Sequence, residues 1–225
     1  MNKAIITYAA GEHAKLLEIS RPTFQRFADA HGYDLLVGEK KCDRPGAWNK
    51  VPLLLEALQR YEIAVWFDAD LVVVDASEDF PFIGSQGSQN PVHALVRHFS
   101  YMSEIPNSGV WILTRAAIPL LEQMWTLEVF MNHGWWEQAA LMTCMGYSVP
   151  PEGTMFDRTC CRCVYPKWVP QWLRVEWNSH PNYRADKPRI VHCSYQDWTV
   201  RVSTMSELVV SAEYRYPEWP RKDFS

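Results

Sequence analysis

Hydrophobic positions along this chain switch between a period of two and a period near 3.6, and the switches mark out its elements. Lys3 to Ala9 (KAIITYA) is rich in β-branched residues and predicts a first strand, closed by Gly11. Leu16, Leu17, Phe24, Phe27 and Ala28 then recur at helical spacing as far as His31-Gly32, with Ser20 and Pro22 predicting a break and a restart. Tyr33 to Val37 predicts a second strand. Trp48 to Tyr61 predicts a second helix, in which Pro52 is tolerable near the first turn. Ile63 to Phe67 is almost wholly apolar, as expected of a strand covered on both faces of a parallel sheet. The order β-α-β-α-β predicts an α/β fold with right-handed crossovers.

The second half is more mixed. Val92 to Val96, Val110 to Leu113 and Arg189 to His192 read as strands. Ala116 to Met131 and Trp135 to Met145 read as helices, divided by Asn132-His133-Gly134. A segment rich in Cys, Pro and Trp precedes the last strand, and the aromatic, proline-rich stretch from Glu213 predicts no regular element.

Composition narrows the classes. A chain of 225 residues, 48% of them apolar, suits one α/β domain with a substantial core. A net charge of −4 argues against a surface built to coat nucleic acid. There is no run of 18 apolar residues, and Gly11, Glu12 and His13 interrupt the first apolar stretch too soon for a signal peptide. The expectation is a cytoplasmic protein whose six cysteines stay reduced. Cys160, Cys161 and Cys163 crowd together, but no fourth ligand stands at a familiar zinc spacing, so they read as thiols.

The chemistry concentrates in Val65 to Asp75, VWFDADLVVVD. Two carboxylates, Asp68 and Asp70, interrupt an otherwise buried run, and a buried carboxylate is costly unless something compensates it. In an open α/β sheet, ligands bind outside the carboxyl ends of the strands, where these acids fall. Two carboxylates flanking the small Ala69 can face one hard cation, Mg²⁺ or Mn²⁺, whose shell is completed by water and substrate phosphates. The residues alone leave a metal or phosphate role and a structural pair both open. Asp75, beside Ala76-Ser77, reads as a cap.

Four segments occur in a telling order: FDAD after an apolar strand, NSGVWIL at Asn107 to Leu113, WWEQAAL at Trp135 to Leu141, and RIVHCS around His192. This array resembles the nucleotide-sugar glycosyltransferases of the GT-A fold. The nearest likeness is to the plant and fungal α-galactosyl- and α-xylosyltransferases, with the glycogenin-like family second. RFADAHGYDLL (Arg26 to Leu36) and AWNKVPLLLEAL (Ala47 to Leu58) fit the first of these, and the likeness runs over roughly residues 1 to 200. It implies a single domain with a Rossmann-like, mixed but mostly parallel sheet flanked by helices. Residues 1–115 would bind the nucleotide sugar and residues 116–225 the acceptor.

Residue by residue, the resemblance implies the following. Asp68 would touch the donor ribose and a metal, Asp70 would ligate the metal, and His192 would be the third protein ligand. A histidine in the set favours Mn²⁺ over Mg²⁺. Thr7, Tyr8 and Ala9 would line the base pocket, with Tyr8 stacking on uracil. Lys50 would stand beside the donor, and Trp198 would close over it. Asn107, Ser108 and Gly109, placed just before a strand, would face the transferred sugar, with Gly109 permitting close approach. Glu137 and Gln138 would lie under the sugar ring, the carboxylate stabilising charge at the anomeric carbon or orienting the acceptor. One of Trp168, Trp172 and Trp177 would line the acceptor cleft. The chain departs from the family after His192, where Cys193-Ser194-Tyr195 replaces a glycine-containing loop.

The implied reaction is metal-dependent transfer of a hexose or pentose from a UDP-sugar, with retention. Two other readings compete. A nucleotide-sugar-binding module would keep the fold without turnover. A haloacid-dehalogenase-like phosphatase would also place D-x-D after an apolar strand, but it needs a Thr or Gly soon after and a later acidic pair, where Leu71-Val72-Val73 follow here.

Overall fold

In a computed structural model, residues 2–81, 92–100, 103–150, 163–180, 183–194 and 196–215 are described. Cys160, Cys161 and the last ten residues lie outside them. The order is β1 (Lys3–Thr7), α1 (His13–His31), β2 (Asp34–Val37), α2 (Lys50–Arg60), β3 (Ile63–Phe67), β4 (Leu71–Val73), β5 (His93–Ser100) and β6 (Ser103–Thr114). There follow α3 (Ile118–Trp125), α4 (Trp136–Cys144), β7 (Gln171–Leu173), β8 (Ile190–His192) and α5 (Trp198–Arg215).

Six strands form one sheet in the order β2-β1-β3-β6-β5-β7. β1 pairs in parallel with β2 and β3, and β5 with β7, while β6 runs antiparallel to both β3 and β5. The sheet is therefore mixed but mostly parallel. β4 and β8 form a separate antiparallel pair with Leu71 opposite His192.

Strand alternation divides the core into two halves. Ala4, Ile6, Ala64, Trp66, Trp111 and Leu113 face α2, α3 and α4, where Leu54, Leu58, Leu121, Met124 and Leu141 are buried with them. Ile5, Val65, Phe67, Val110 and Ile112 face α1 and α5, packing with Leu16, Phe24, Phe27 and Met205. Burial on both faces is why Ile63 to Phe67 carries no polar residue.

Three expectations are corrected. α1 is one helix of 19 residues with Pro22 inside it. Pro22 is exposed, so the carbonyl it deprives of a partner is free to be hydrated, and the buried Leu16, Leu17, Phe24 and Phe27 hold the helix together across the proline. The stretch 116–131 is a helix only over Ile118–Trp125, bounded by 3₁₀ turns. From Trp198 the chain forms α5, which the hydrophobic pattern did not predict. Gly32 ends α1 as expected, at φ 68° with its N–H on the Ala28 carbonyl. Among the described residues no helix is long and apolar enough to cross a membrane.

Candidate active site

Three parts of the fold meet at the carboxyl end of β3. The turn Asp68-Ala69-Asp70 is held on three sides: the Asp68 N–H donates to the Gly109 carbonyl (2.9 Å), the Cys193 N–H donates to the Asp70 carbonyl (2.9 Å), and the Ser20 hydroxyl of α1 donates to the Ala69 carbonyl (3.0 Å). The β4–β8 pairing then carries His192 to the turn. Its Nε2 lies 3.2 Å from Asp70 Oδ1 and 3.9 Å from Asp68 Oδ2. Ligand atoms of the three residues all lie within 4.8 Å of one another.

These residues fit a divalent cation. Two ligands at right angles on an octahedral ion of Mg²⁺ size stand about 3 Å apart, close to the Nε2–Oδ1 separation here. Two carboxylates and one imidazole are a donor set that suits Mg²⁺ or Mn²⁺. Burial works against protonation of His192, but Asp70 and then Asp68 hold its imidazole above the ordinary range. Burial also works against the Asp70 charge, yet His192 and then Arg201 hold that carboxyl below its ordinary range.

On the other side of Asp68 is a closed network. The Lys50 ammonium, 2% exposed, donates to Glu137 Oε1 at 2.7 Å, to the Ser108 hydroxyl at 3.0 Å and to the Ser108 carbonyl at 3.2 Å, and it lies 3.2 Å from Asp68 Oδ1. The Trp66 indole N–H donates to the same Asp68 oxygen at 2.6 Å. Burial pushes Lys50 down, but Asp68 and Glu137 outweigh it and hold the ammonium above its usual value. Burial raises the Glu137 carboxyl, and Lys50 opposes that shift.

Ser108 and Gly109 reach the site through a bulge. Leu95 pairs with Trp111 but its neighbour Val96 pairs with Asn107, so Ser108, Gly109 and Val110 are extra residues on β6. The bulge turns Ser108 towards α4, where its N–H donates to Gln138 Oε1 at 3.2 Å. Gly109 packs directly against His192: a Cβ there would lie 2.6 Å from Nδ1 and closer still to Cε1. α4 starts from Trp136 at φ 42°, a costly conformation for an aromatic residue, and this turn delivers Glu137 and Gln138 inward.

No protein-family model matches the sequence, and no curated protein matches it. Solved structures do. A glycosyltransferase involved in the glycosylation of the major capsid of PBCV-1 superposes with a TM-score of 0.65 at 13% identity, covering 91% of this chain and 99% of that one. GlyE of Streptococcus pneumoniae gives 0.60 at 12% identity, over 97% of this chain and 64% of that one. The galactosyltransferase LgtC, solved with donor and acceptor sugar analogs, gives 0.55 at 9% identity, over 92% and 95%. The fold is GT-A. At this identity the likeness is one of architecture.

Within the GT-A sheet, most of the expected site residues converge. Asp68, Asp70, His192, Lys50, Ser108, Gly109, Glu137 and Gln138 are connected through the contacts above. Asn107 joins them by accepting the Gly109 N–H at 2.9 Å. The β6 bulge corrects the expectation that Asn107 to Gly109 precede a strand: they lie inside it. Thr7 ends β1 opposite Phe67, the residue before Asp68, with its buried hydroxyl unpartnered among the described residues. Tyr8 and Ala9 follow it, partly buried. Trp198 begins α5 with its ring edge-on to His13, 5.9 Å away. Trp177 is 2% exposed and belongs to the core, while Trp168 and Trp172 are partly buried.

Four contributors escaped the sequence reading. Ser20 and Trp66 hold the aspartate turn, Arg201 reaches Asp70 Oδ2 at 3.5 Å, and Asn178 Oδ1 meets His192 Nδ1 at 3.1 Å. Arg201 lies three residues after Trp198, on the same helix face, so a helix predicted there would have pointed to it. Asn178 carries no comparable signal.

Proposed function

We propose that this chain is a metal-dependent glycosyltransferase that moves a hexose or pentose from a nucleotide sugar, with UDP as the expected nucleotide, to an acceptor. The observation that carries this reading is the convergence of Asp68, Asp70 and His192 within 4.8 Å at the strand ends of a GT-A sheet. The ordered motifs support the finer reading, a retaining enzyme resembling the plant and fungal α-galactosyl- and α-xylosyltransferases. Residues 1–115 bind the donor in this reading and residues 116–225 the acceptor. The reaction breaks the bond between the anomeric carbon and the diphosphate and forms one to an acceptor oxygen.

Asp68, Asp70 and His192 would hold Mn²⁺ or Mg²⁺, which when bound neutralises charge on the departing diphosphate. Thr7, Tyr8 and Ala9 receive the base, and Trp198 covers the donor. Lys50 has three protons and four acceptors within 3.2 Å, so it acts by holding Asp68 and Glu137 in place and by adding positive potential beside the donor. Glu137 keeps Lys50 there. Gln138 and Asn107 meet the sugar: the Oε1 of Gln138 already accepts from Ser108, so it offers a hydroxyl its amide N–H. Arg201, whose Nε has no partner among the described residues, adds a second cation where the family's glycine loop is missing.

The test is release of UDP from a panel of UDP-sugars, with Mn²⁺ and with a chelator. Metal-dependent release from at least one donor is expected. Retained UDP binding without release from any donor would favour a binding module, and inorganic phosphate from simple phosphate esters would favour a phosphatase.

A further inference from the structure

The hydrogen-bond chain behind His192 has a direction that can be read from one end. The Gly109 N–H can only donate, and its acceptor is Asn107 Oδ1 at 2.9 Å. That fixes the Asn107 amide. The Asn178 atom facing the same oxygen at 2.8 Å must then be a donor, Nδ2. The other end of the Asn178 amide, Oδ1, faces His192 Nδ1 at 3.1 Å, and an amide oxygen can only accept. Nδ1 is therefore the ring nitrogen that donates to Asn178. Nε2 faces Asp70 Oδ1 and Asp68 Oδ2, so its proton is the one a cation displaces. With the opposite polarity, Nε2 would have to keep its proton and could not ligate a cation.

We propose that Asn178 is a positioning residue that carries the direction of the Gly109 N–H through two side-chain amides to His192, and so presents Nε2 as a lone pair to a divalent cation. The proposal rests on reading Asp68, Asp70 and His192 as a cation site. Asn178 is suited to the task because it is wholly buried, so water cannot replace either of its bonds. Its backbone is fixed as well: it ends the 3₁₀ turn Val175–Asn178, and its carbonyl accepts from His98 Nε2 at 2.7 Å. Gly109 serves twice, as the origin of the chain and as the gap that admits the His192 ring. A corollary concerns the donor subsite. Asn107 Oδ1 already takes two donors, so what Asn107 offers a sugar is its amide N–H.

The test begins with the unmodified chain labelled with ¹⁵N-histidine and loaded with Mg²⁺, with His192 assigned by difference from His192→Gln. With the cation bound, the ring is expected to keep its proton on Nδ1 and to carry none on Nε2. Asn178→Leu should lose that preference, and its Mn²⁺ affinity by calorimetry should fall about 10–100-fold. Asn178→Asp, which keeps an oxygen for Nδ1–H, should retain more affinity than Asn178→Leu. An Nε2–H tautomer in the Mg²⁺-loaded unmodified chain, or a folded Asn178→Leu with unchanged Mn²⁺ affinity, overturns the proposal. The tautomer measurement needs no change at Asn178, so a poorly folding Asn178→Leu does not remove the test. Nδ1–H found in a chain that releases UDP from no donor would support the relay and overturn the transferase reading, so the two fail separately.

Discussion

Asp68 and Asp70 are separated by one alanine, and the fold surrounds their charges differently. Asp68 faces a network that is already complete: Lys50 lies 3.2 Å away, the Trp66 indole donates at 2.6 Å, and Glu137 and Ser108 occupy the rest of the lysine. Asp70 is more buried, yet it has a histidine at 3.2 Å and an arginine at 3.5 Å. The first acid is paired with an ammonium wholly enclosed by the chain. The second lies between an imidazole and a guanidinium. A two-acid motif is thus not two equal groups: Asp68 joins the lysine network, and Asp70 faces His192 and Arg201.

The largest expected effect tests the closed side. Lys50→Met leaves Glu137 buried without its cation, and breaking a buried pair in this way costs about 3–5 kcal/mol. Urea denaturation measures it. Pairing Lys50→Met with Glu137→Leu should recover most of that stability without recovering turnover. A single variant that loses less than about 1 kcal/mol would show that the network is not closed. Asp70→Asn should fall mainly on turnover, lowering kcat on the order of 10³-fold with a smaller loss of stability than Lys50→Met. Turnover and melting curves on the same preparation decide whether the two acids separate as described.

A smaller effect comes from the seam between the two sides. Gly109→Ala puts a methyl group against the His192 ring and should destabilise by about 1–3 kcal/mol. Mn²⁺ affinity should drop while the Lys50–Glu137 pair persists, and unchanged affinity would mean that the ring has room to move. Denaturation and calorimetry on this variant read the two effects.

The smallest effect supplies a background. His93 is buried and neutral, with Nδ1 accepting the Trp111 indole N–H at 3.0 Å and Nε2 donating to the Trp168 carbonyl at 2.6 Å. Burial pushes its pKa down to about 4, with the Trp168 carbonyl opposing. Between that value and the ordinary 6.5 the unfolded chain binds more protons, so stability falls as pH falls. The His93 share of that loss is roughly 1 kcal/mol by about pH 5.5, and His93→Gln should remove that share while the buried His98 and His180, also lowered, keep theirs. His192 has the opposite sign. Its pKa is raised, so in metal-free protein its contribution is present at low pH and lost as pH rises through the elevated value. Mn²⁺ affinity should climb over that same interval, because the ion displaces the Nε2 proton. Unfolding curves against pH, with and without chelator, separate the two histidines.

Much of the N-terminal half was legible in advance. β1 and β3 fall where the apolar runs predict them, because a strand covered on both faces must be apolar along its length, while β2, a half-covered edge strand, shows in the run Leu35 to Val37. α5 was not legible. Among its described side chains only Met205 and Ala212 are buried, too few to impose a helical period on the sequence. The β6 bulge was hidden for another reason: it arises because one strand must register with β3 on one side and β5 on the other, which no single segment expresses.

The sequence by itself determined that two carboxylates would stand at the end of a buried strand, that a glycine would close the first helix, and which side chains in later segments had the chemistry to join the acids. Those are properties of residue type and near-neighbour pattern. Tertiary structure alone decided which acid would be satisfied by Lys50 and which would face His192. It also decided that Arg201 and Asn178 belong to the site. The reason is that charge pairing and hydrogen-bond direction depend on distances of a few ångströms between strands remote in the chain, and here the antiparallel pairing that puts Leu71 opposite His192 sets those distances.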